Sequence, residues 1–293
     1  MLDQHNLAHL CEVAVGAAQE AGKHIQLQFD KAHQRMQKQA GSSEASQIVT
    51  EVDLRAQEII LSHLQPTIQS FNLGLLTEES IDNQSRLEQP YFWCVDPLDG
   101  TLPYAEGESG YAVSIALVSK SGDPIVSVVY IPDSLECFTA IKGSGVQLNG
   151  KEFCRHEQHD SYFHFYLDRS FKTEAYFDQV AAHLNQWALD KEMECQMHVG
   201  HGSVRNAINV MSTSSACYFK FPKVTEGGGC IWDFAATRLL FEELSLYVSN
   251  AAGEQLFLNN PSTTFMNDVG VIYTTLPDVP ELIIEMKKRL GLL

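Results

Sequence analysis

The sequence predicts an α/β (α+β) protein in which helices and sheets stack in layers, and three observations predict it. Apolar residues from Leu7 through Leu10, Ala14, Ala18, Ala21 and Ile25 to Phe29 recur at helical spacing, so one face can be buried while the intervening Gln, Glu and Lys meet water. The runs "YFWCV", "YAVSIALVS", "PIVSVVYI" and "CFTAI" then follow one another between turns such as "KSGD" and "KGSG", as neighbouring strands of a sheet do. Beyond them, strand-like "YFHFYLDRS" is followed by helix-like "AYFDQVAAHLNQW" and "IWDFAATRLLFEEL", so both element types share one core.

The remaining segments fill in the order. "QKQAGSSEASQ" is polar and carries Gly and Ser, which predicts a loop. "IVTEVDLRAQEIILSHLQP" predicts a short strand or turn running into a second helix that stops at Pro66. "NLGLLTEES" reads as a strand breaking into an acidic turn, and "YFWCV", apolar throughout, as a strand covered on both faces. "KGSGVQLNGK" closes a first half, residues 1–152. A second half, 153–293, contains the glycine-rich loop "FPKVTEGGGC", and the two are expected to pack as one compact unit.

Composition narrows the function. A chain of 293 residues with 44% hydrophobic content can bury a sizeable core. Its formal charge of -17 argues against a nucleic acid polymer or an anionic membrane as partner, since both need a basic face. A small phosphorylated substrate is compatible, because a local metal cluster or backbone amides can hold an anion against the overall field. Seven scattered cysteines without a CxxC predict reduced thiols and a cytoplasmic protein. His198 and His201 form an HxxH, read as ordinary histidines rather than a zinc site. No signal peptide and no membrane span is expected.

The chemistry concentrates in "WCVDPLDGT". Asp99-Gly100 alone would be an ordinary turn. Asp96, directly after an apolar run, is harder to explain that way. Two carboxylates crowded at a buried strand end repel unless a cation lies between them. Oxygen-only ligands select a hard cation, Mg²⁺ first, and the Leu98 carbonyl can join them. Gly100 and Thr101 can offer amides to an anion. Glu78 in "TEES" reads equally as a solvated acidic turn, and Asp53 and Asp233 read equally as helix caps.

Taken together, these segments resemble the inositol monophosphatase family of Mg²⁺-dependent, lithium-sensitive sugar and nucleotide phosphatases. "DPLDGT" at 96–101 looks like its signature, and "WDFAA" like its second, W-D-x-A-A. "EES" from Glu78, "IVTEVD" ending at Asp53, "AVSIAL" and "KGSGVQLNGK" are similar to supporting segments, so the resemblance covers most of the chain. It implies a layered αβαβα sandwich of the sugar-phosphatase type, lithium inhibition and a homodimer. Glu78, Asp96, the Leu98 carbonyl, Asp99 and Asp233 would bind Mg²⁺, with Asp96 bridging two ions. Glu78 and Thr101 would activate the attacking water, supported by Asp53. Amides of Gly100 and Thr101 would hold the phosphate.

The chain also departs from the family pattern. "LPY" after Gly100-Thr101 matches neither T-N-F nor K-E-F, the continuations of the inositol and nucleotide enzymes. The glutamate that the family's inositol enzymes carry before W-D, where it holds a substrate hydroxyl, is missing. The longer "YFKFPKVTEGGGCIWD" brings Lys220 and Lys223 instead. Either these lysines form a solvated basic edge or one contacts an anionic group of the substrate. Glu226 is a candidate replacement for the missing glutamate. "GHGSVRN" partly resembles the family's substrate loop, which implies Gly202 and Ser203 in the leaving-group pocket and Arg205 as a second basic contact. The expected activity is phosphomonoester hydrolysis, nominally of inositol monophosphate, with a 3'(2'),5'-bisphosphate nucleotide or a sugar bisphosphate as alternatives. A non-catalytic regulatory subunit is the alternative of a different class.

Overall fold

Side chains alternating along the strands decide the layering. In the computed structural model, which describes residues 2–36, 42–155 and 161–292 (and side chains outside 30–49), the chain begins with two long helices, α1 (Gln4–Met36) and α2 (Ser42–Phe71). A first sheet follows, with β1 (Gly74–Thr77), a short helix α3 (Ser85–Glu88), β2 (Tyr91–Asp99), a short helix α4 (Thr101–Ala105), β3 (Ala112–Ser119), β4 (Pro124–Ile131), β5 (Glu136–Ile141), β6 (Val146–Leu148) and β7 (Lys151–Glu152). Its seven strands lie in sequence order and are antiparallel except for the parallel β1–β2 pair. The rest of the chain supplies β8 (Tyr162–Leu167), α5 (Phe177–Asp190), β9 (Glu194–Val199), α6 (Ser203–Ser212), β10 (Ala216–Lys220), α7 (Ile231–Glu243), β11 (Tyr247–Ser249), β12 (Val271–Thr274) and α8 (Val279–Arg289). Those strands form a second sheet in the order β11-β12-β10-β8-β9.

Trp93 and Val95 of β2 face outward onto Ala14, Ala18 and Ala21 of α1 and Ala56 and Ile60 of α2. Phe92 and Cys94 face the other way, into a core shared with α6, α7 and Tyr218 and Tyr273 of the second sheet. The far face of that sheet, with Phe163, Phe165 and Phe219, packs against α5 and α8. The architecture is therefore five layers, αβαβα. Helix α7 is buried almost all round, as a helix clamped between two sheets must be. Its Ala235 and Ala236 let the backbone come close to the first sheet, where Ser127 Oγ donates to the Ala236 carbonyl at 2.8 Å.

Helix α2 differs from the sequence expectation. Residues 42–47, expected in a loop, are its first turns, and 37–41 lie outside the described residues. Serines followed by a glutamate suit a helix start as well as a loop. "IVTEVD" is helical rather than a strand or turn, so Asp53 sits mid-helix and caps nothing. Pro66 lies inside the helix rather than ending it. An interior proline loses one hydrogen bond and costs about 3 kcal/mol. Beyond the proline Ile68 and Phe71 are partly buried against the α1–α2 core, and the apolar area they remove from water offsets part of that cost.

The end of β2 is a β-bulge rather than the expected turn. Asp96 pairs with Ser114 and Asp99 with Ala112, so β2 advances three residues while β3 advances two. In a regular strand, residues three apart point to opposite faces. The extra residue resets the alternation. Leu98 falls on the α1–α2 side with Val95, and Asp96 and Asp99 both turn toward the central layer. Pro97 is tolerated because a bulge leaves a backbone group unpaired.

The contact of α1 with β4 offers a test of packing against propensity. Gly22 is helical, and a Cβ there would lie 2.3 Å from Cε1 of Tyr130, a residue only 4% exposed. Gly22→Ala gains about 1 kcal/mol of helix propensity, but overpacking a closed core costs about 1–3 kcal/mol. Chemical denaturation is expected to show net destabilisation by about 1 kcal/mol or more.

Candidate functional site

The bulge of β2, the start of α7 and the start of α6 meet at one point. Asp96, Asp99 and Asp233 each place a carboxylate oxygen there, all within 4.8 Å of one another. Asp96 is held by the Leu98 N–H, which donates to its Oδ1 at 3.1 Å. Asp233, in the first turn of α7, accepts the Cys230 N–H on Oδ2 at 2.6 Å. Asp99 crosses to α6. Its Oδ1 accepts from the Ser203 N–H at 2.9 Å, and its Oδ2 from Val204 at 2.9 Å and Arg205 at 3.4 Å. The carboxylate thus satisfies helix-start amides that have no partner within the helix. Gly202 is required for that approach, since a Cβ there would stand 2.2 Å from Asp99 Oδ2 and 2.7 Å from the Gly100 nitrogen.

Glu78 follows β1 on the acidic loop. The residue is exposed, yet its carboxyl group turns in to hydrogen-bond with Asp96 and to lie near Asp233. Desolvation, then the Asp233 charge, pushes its pKa up to about 7. Asp53 of α2 lies behind this loop, and its Oδ1 is buried without a hydrogen-bond partner. Burial, then the charges of Glu78 and Glu79, pushes Asp53 up to about 8. Asp96 and Asp99 are raised well above the usual carboxylate range, first by burial, then by their acidic neighbours. Asp233 is raised by burial, against the opposing pull of Lys220.

A cavity of about 280 Å³ opens beside the cluster. Gly100, Thr101, Gly202 and Ser203 line it, with Asp99 and Asp168. Gly100 caps α4, so the Thr101 and Leu102 N–H groups at the helix start have no intrahelical acceptor. Lys220 and Lys223 line a smaller adjoining pocket that shares Asp168. Lys220 is no solvated edge. Its side chain is 12% exposed and its Nζ pairs with Asp168 Oδ2 at 2.7 Å. Burial works to lower the Lys220 pKa, but Asp168, Asp233 and Asp99 outweigh it and raise the pKa above the usual lysine value. The Arg205 guanidinium points elsewhere, toward Asp133 at 3.8 Å. Glu226 is exposed on the glycine loop.

Two residues of the site went unnoticed in the sequence. Gln57 accepts from Thr77 Oγ1 at 2.5 Å and donates to Ser80 Oγ at 2.9 Å, which pins the acidic loop to α2. Its signal was its position, one turn after Asp53. Asp168 accepts from Asn206 Nδ2 at 3.2 Å and the Tyr218 hydroxyl at 3.1 Å besides Lys220. Its signal was a charged pair, Asp-Arg, closing the apolar run "YFHFYL". His198 sits against His164, ring nitrogens 2.8 Å apart, and His201 against Asn209. Among the described residues neither histidine belongs to a group of potential metal ligands.

Residues 6–285 match the model of the inositol monophosphatase family. The chain belongs to that family. It is 36% identical over 142 residues to the Nus factor SuhB of Vibrio cholerae, 48% of this chain and 50% of that protein. It is also 36% identical over 141 residues to inositol monophosphatase 2 of Solanum lycopersicum, 48% of this chain and 51% of that protein. The chain thus spans about half the length of the curated relatives it matches. The inositol monophosphatase structure from Anabaena (Nostoc) superposes with a TM-score of 0.71 at 21% identity, covering 98% of both chains, and so shares the fold.

The family's metal dependence can be tested on these residues. The donors at the cluster are all oxygens, which suits a hard divalent cation. Three aspartate carboxyl groups within 4.8 Å, with the Glu78 carboxyl group beside them and the unpartnered Asp53 Oδ1 behind its loop, concentrate negative charge that a cation would offset. The inositol monophosphatase cluster therefore fits a metal.

The raised pKa values predict a pH dependence without metal. Glu78 and Asp53 titrate near 7 and 8 in the folded chain but near 4 when unfolded. Between those values the folded state binds more protons, so stability falls as pH rises. In EDTA the melting temperature is expected to drop from about pH 5 to about pH 8, and millimolar Mg²⁺ to reverse most of the drop at the alkaline end. Thermal melts across that range, with and without metal, measure it.

Proposed function

We propose that this chain is a Mg²⁺-dependent phosphomonoesterase acting on a small phosphorylated metabolite, nominally inositol monophosphate. One observation carries the reading: the β2 bulge turns the buried Asp96 and Asp99 to the same side, where Asp233 and the inturned carboxyl group of Glu78 join them beside a cavity. Asp96, Asp99, Asp233, Glu78 and the Leu98 carbonyl would hold Mg²⁺. Bound there, Mg²⁺ supplies an acidified water at neutral pH and neutralises the phosphoryl oxygens.

The chain's own residues do the rest. Amides of Gly100 and Thr101 at the start of α4 receive the phosphate. Glu78 accepts the proton of the attacking water, and the Thr101 hydroxyl orients that water. Asp53, behind Glu78, would support the water network there, the pKa of its own carboxyl group raised to about 8 by burial and by the charges of Glu78 and Glu79. The leaving group enters the cavity between Thr101 and Ser203. No acyl-phosphate on an aspartate is needed, since water is the nucleophile.

The substrate's size and charge follow from the cavity. About 280 Å³ suits a monocyclic polyol phosphate. Lys220 is already paired with Asp168 rather than waiting for a second phosphate. Lys223, beside the shared pocket, supports the second reading, a 3'(2'),5'-bisphosphate nucleotide or a sugar bisphosphate. A non-catalytic role is the contrasting class, and the Vibrio cholerae relative is named as a Nus factor.

Phosphate release from a panel of inositol monophosphate, bisphosphorylated nucleotides and sugar bisphosphates separates these readings. Mg²⁺-dependent turnover of inositol monophosphate is expected, with Asp96→Asn lowering kcat/KM by at least about a hundredfold. Turnover of the bisphosphates alone would select the second reading. Equal activity of Asp96→Asn and the parent, or none across the panel, would refute the hydrolase.

A further inference from the structure

Lys220 brings a fixed positive charge to the edge of the carboxylate cluster. It is the last residue of β10, and its Nζ donates to Ser203 Oγ at 2.9 Å. The N–H of that same Ser203 donates to Asp99 Oδ1 at 2.9 Å. A single residue therefore separates the ammonium from Asp99. On the other flank the ammonium lies 5.4 Å from the ring of Phe234, the neighbour of Asp233 in sequence. With 12% of the Lys220 side chain exposed, water screens this charge only weakly.

We propose that Lys220 acts as a tethered counter-cation: it supplies part of the positive charge that Asp99 and Asp233 require, and so lowers the affinity of the cluster for a divalent cation. This rests on the metal reading of the cluster given above. A charge near a binding site changes the affinity for an ion whether or not it touches the ion. Asp168 works in the opposite sense. Its Oδ2 takes the Lys220 ion pair while its Oδ1 is occupied by Asn206 and Tyr218, so it offsets the ammonium without itself reaching the cluster. The Asp168–Lys220 pair then sets how strongly the cluster holds its cation before substrate arrives. Lys220 is a positioning residue for charge, not a catalytic one.

The pair gives the test its sign. Lys220→Met removes the positive charge and leaves Asp168, and both changes favour a cation. Asp168→Asn leaves the ammonium unopposed, which disfavours one. If the pair only held the pocket in shape, breaking it from either side would weaken binding in both variants. Mn²⁺ titrated into the full-length protein without substrate, with free Mn²⁺ read by electron paramagnetic resonance, reports affinity independently of activity. Lys220→Met is expected to bind Mn²⁺ about tenfold more tightly than the parent, and Asp168→Asn several-fold more weakly. Lys220→Arg, which keeps the charge, should stay within about twofold.

Lys220→Met binding no tighter than the parent, or both variants shifting in one direction, overturns the proposal while leaving the metal centre standing. A parent that binds no Mn²⁺ overturns the metal reading itself, and this inference with it. Should Lys220→Met fail to fold, Lys220→Gln takes its place beside Asp168→Asn: tighter binding in the first with weaker binding in the second supports the counter-cation, and shifts in one direction refute it.

Discussion

The repulsion among Asp96, Asp99, Asp233 and Glu78 is the constraint around which the rest of the structure is arranged. Carboxylates this close and this dry stay together only if something pulls on each of them. The structure answers with backbone N–H groups. Leu98 holds Asp96, Cys230 holds Asp233, and three amides at the start of α6 hold Asp99. Each aspartate is therefore anchored by a local turn or helix start, and Glu78 reaches them from the acidic loop. Burial and the neighbouring acidic charges raise the pKa of the aspartates, and Lys220 opposes that rise at Asp99 and Asp233.

That arrangement also joins the layers. Asp99 belongs to the first sheet, but its hydrogen bonds run to the helix that packs beneath the second. Asp233 begins the helix clamped between both sheets. Ser114 and Ser127 of the first sheet bond back to the α7 carbonyls of Trp232 and Ala236. The small residues of "WDFAA" serve the same end, since Ala235 and Ala236 are fully buried in the helix that carries Asp233. Packing and chemistry share one set of residues here. A change that loosens α7 reaches the cluster at once.

The site's outer parts are held by weaker, more peripheral ties. Gln57 fixes the acidic loop through Thr77 and Ser80. Arg169 bonds to both Glu106 and Glu108, with the Glu108 contact at 2.9 Å, and so ties the exit of α4 to the 3₁₀ turn after β8. The Arg169 ion pairs are partly exposed and contribute little stability individually, but Arg169 lines the cavity, so their importance there is geometric. The Gln57–Thr77 bond is buried instead, so losing one partner would leave a buried polar group unsatisfied.

The sequence by itself determined the fold class, the run of strands from β1 to β5 in the first sheet, and the family. These follow from local signals: apolar period, glycine turns, and short motifs whose residues sit next to one another. It also marked Asp96 and Asp99 as candidates, because two carboxylates after an apolar run are conspicuous, and Glu78 and Asp233 only through their resemblance to the family's motifs. Only the tertiary structure decided how they meet. The bulge that turns Asp99 to the side of Asp96 is a matter of pairing register with β3, which the run "VDPLDG" alone does not specify. The continuation of α2 through Pro66 depends on burial against a helix distant in sequence, which overrode the local breaker signal. Lys220 read equally well as a surface lysine until Asp168, 52 residues earlier (220 − 168), came to lie beside it. Local chemistry is written along the chain; the charge environment of a side chain is written by its neighbours in space, and those exist only once the layers close.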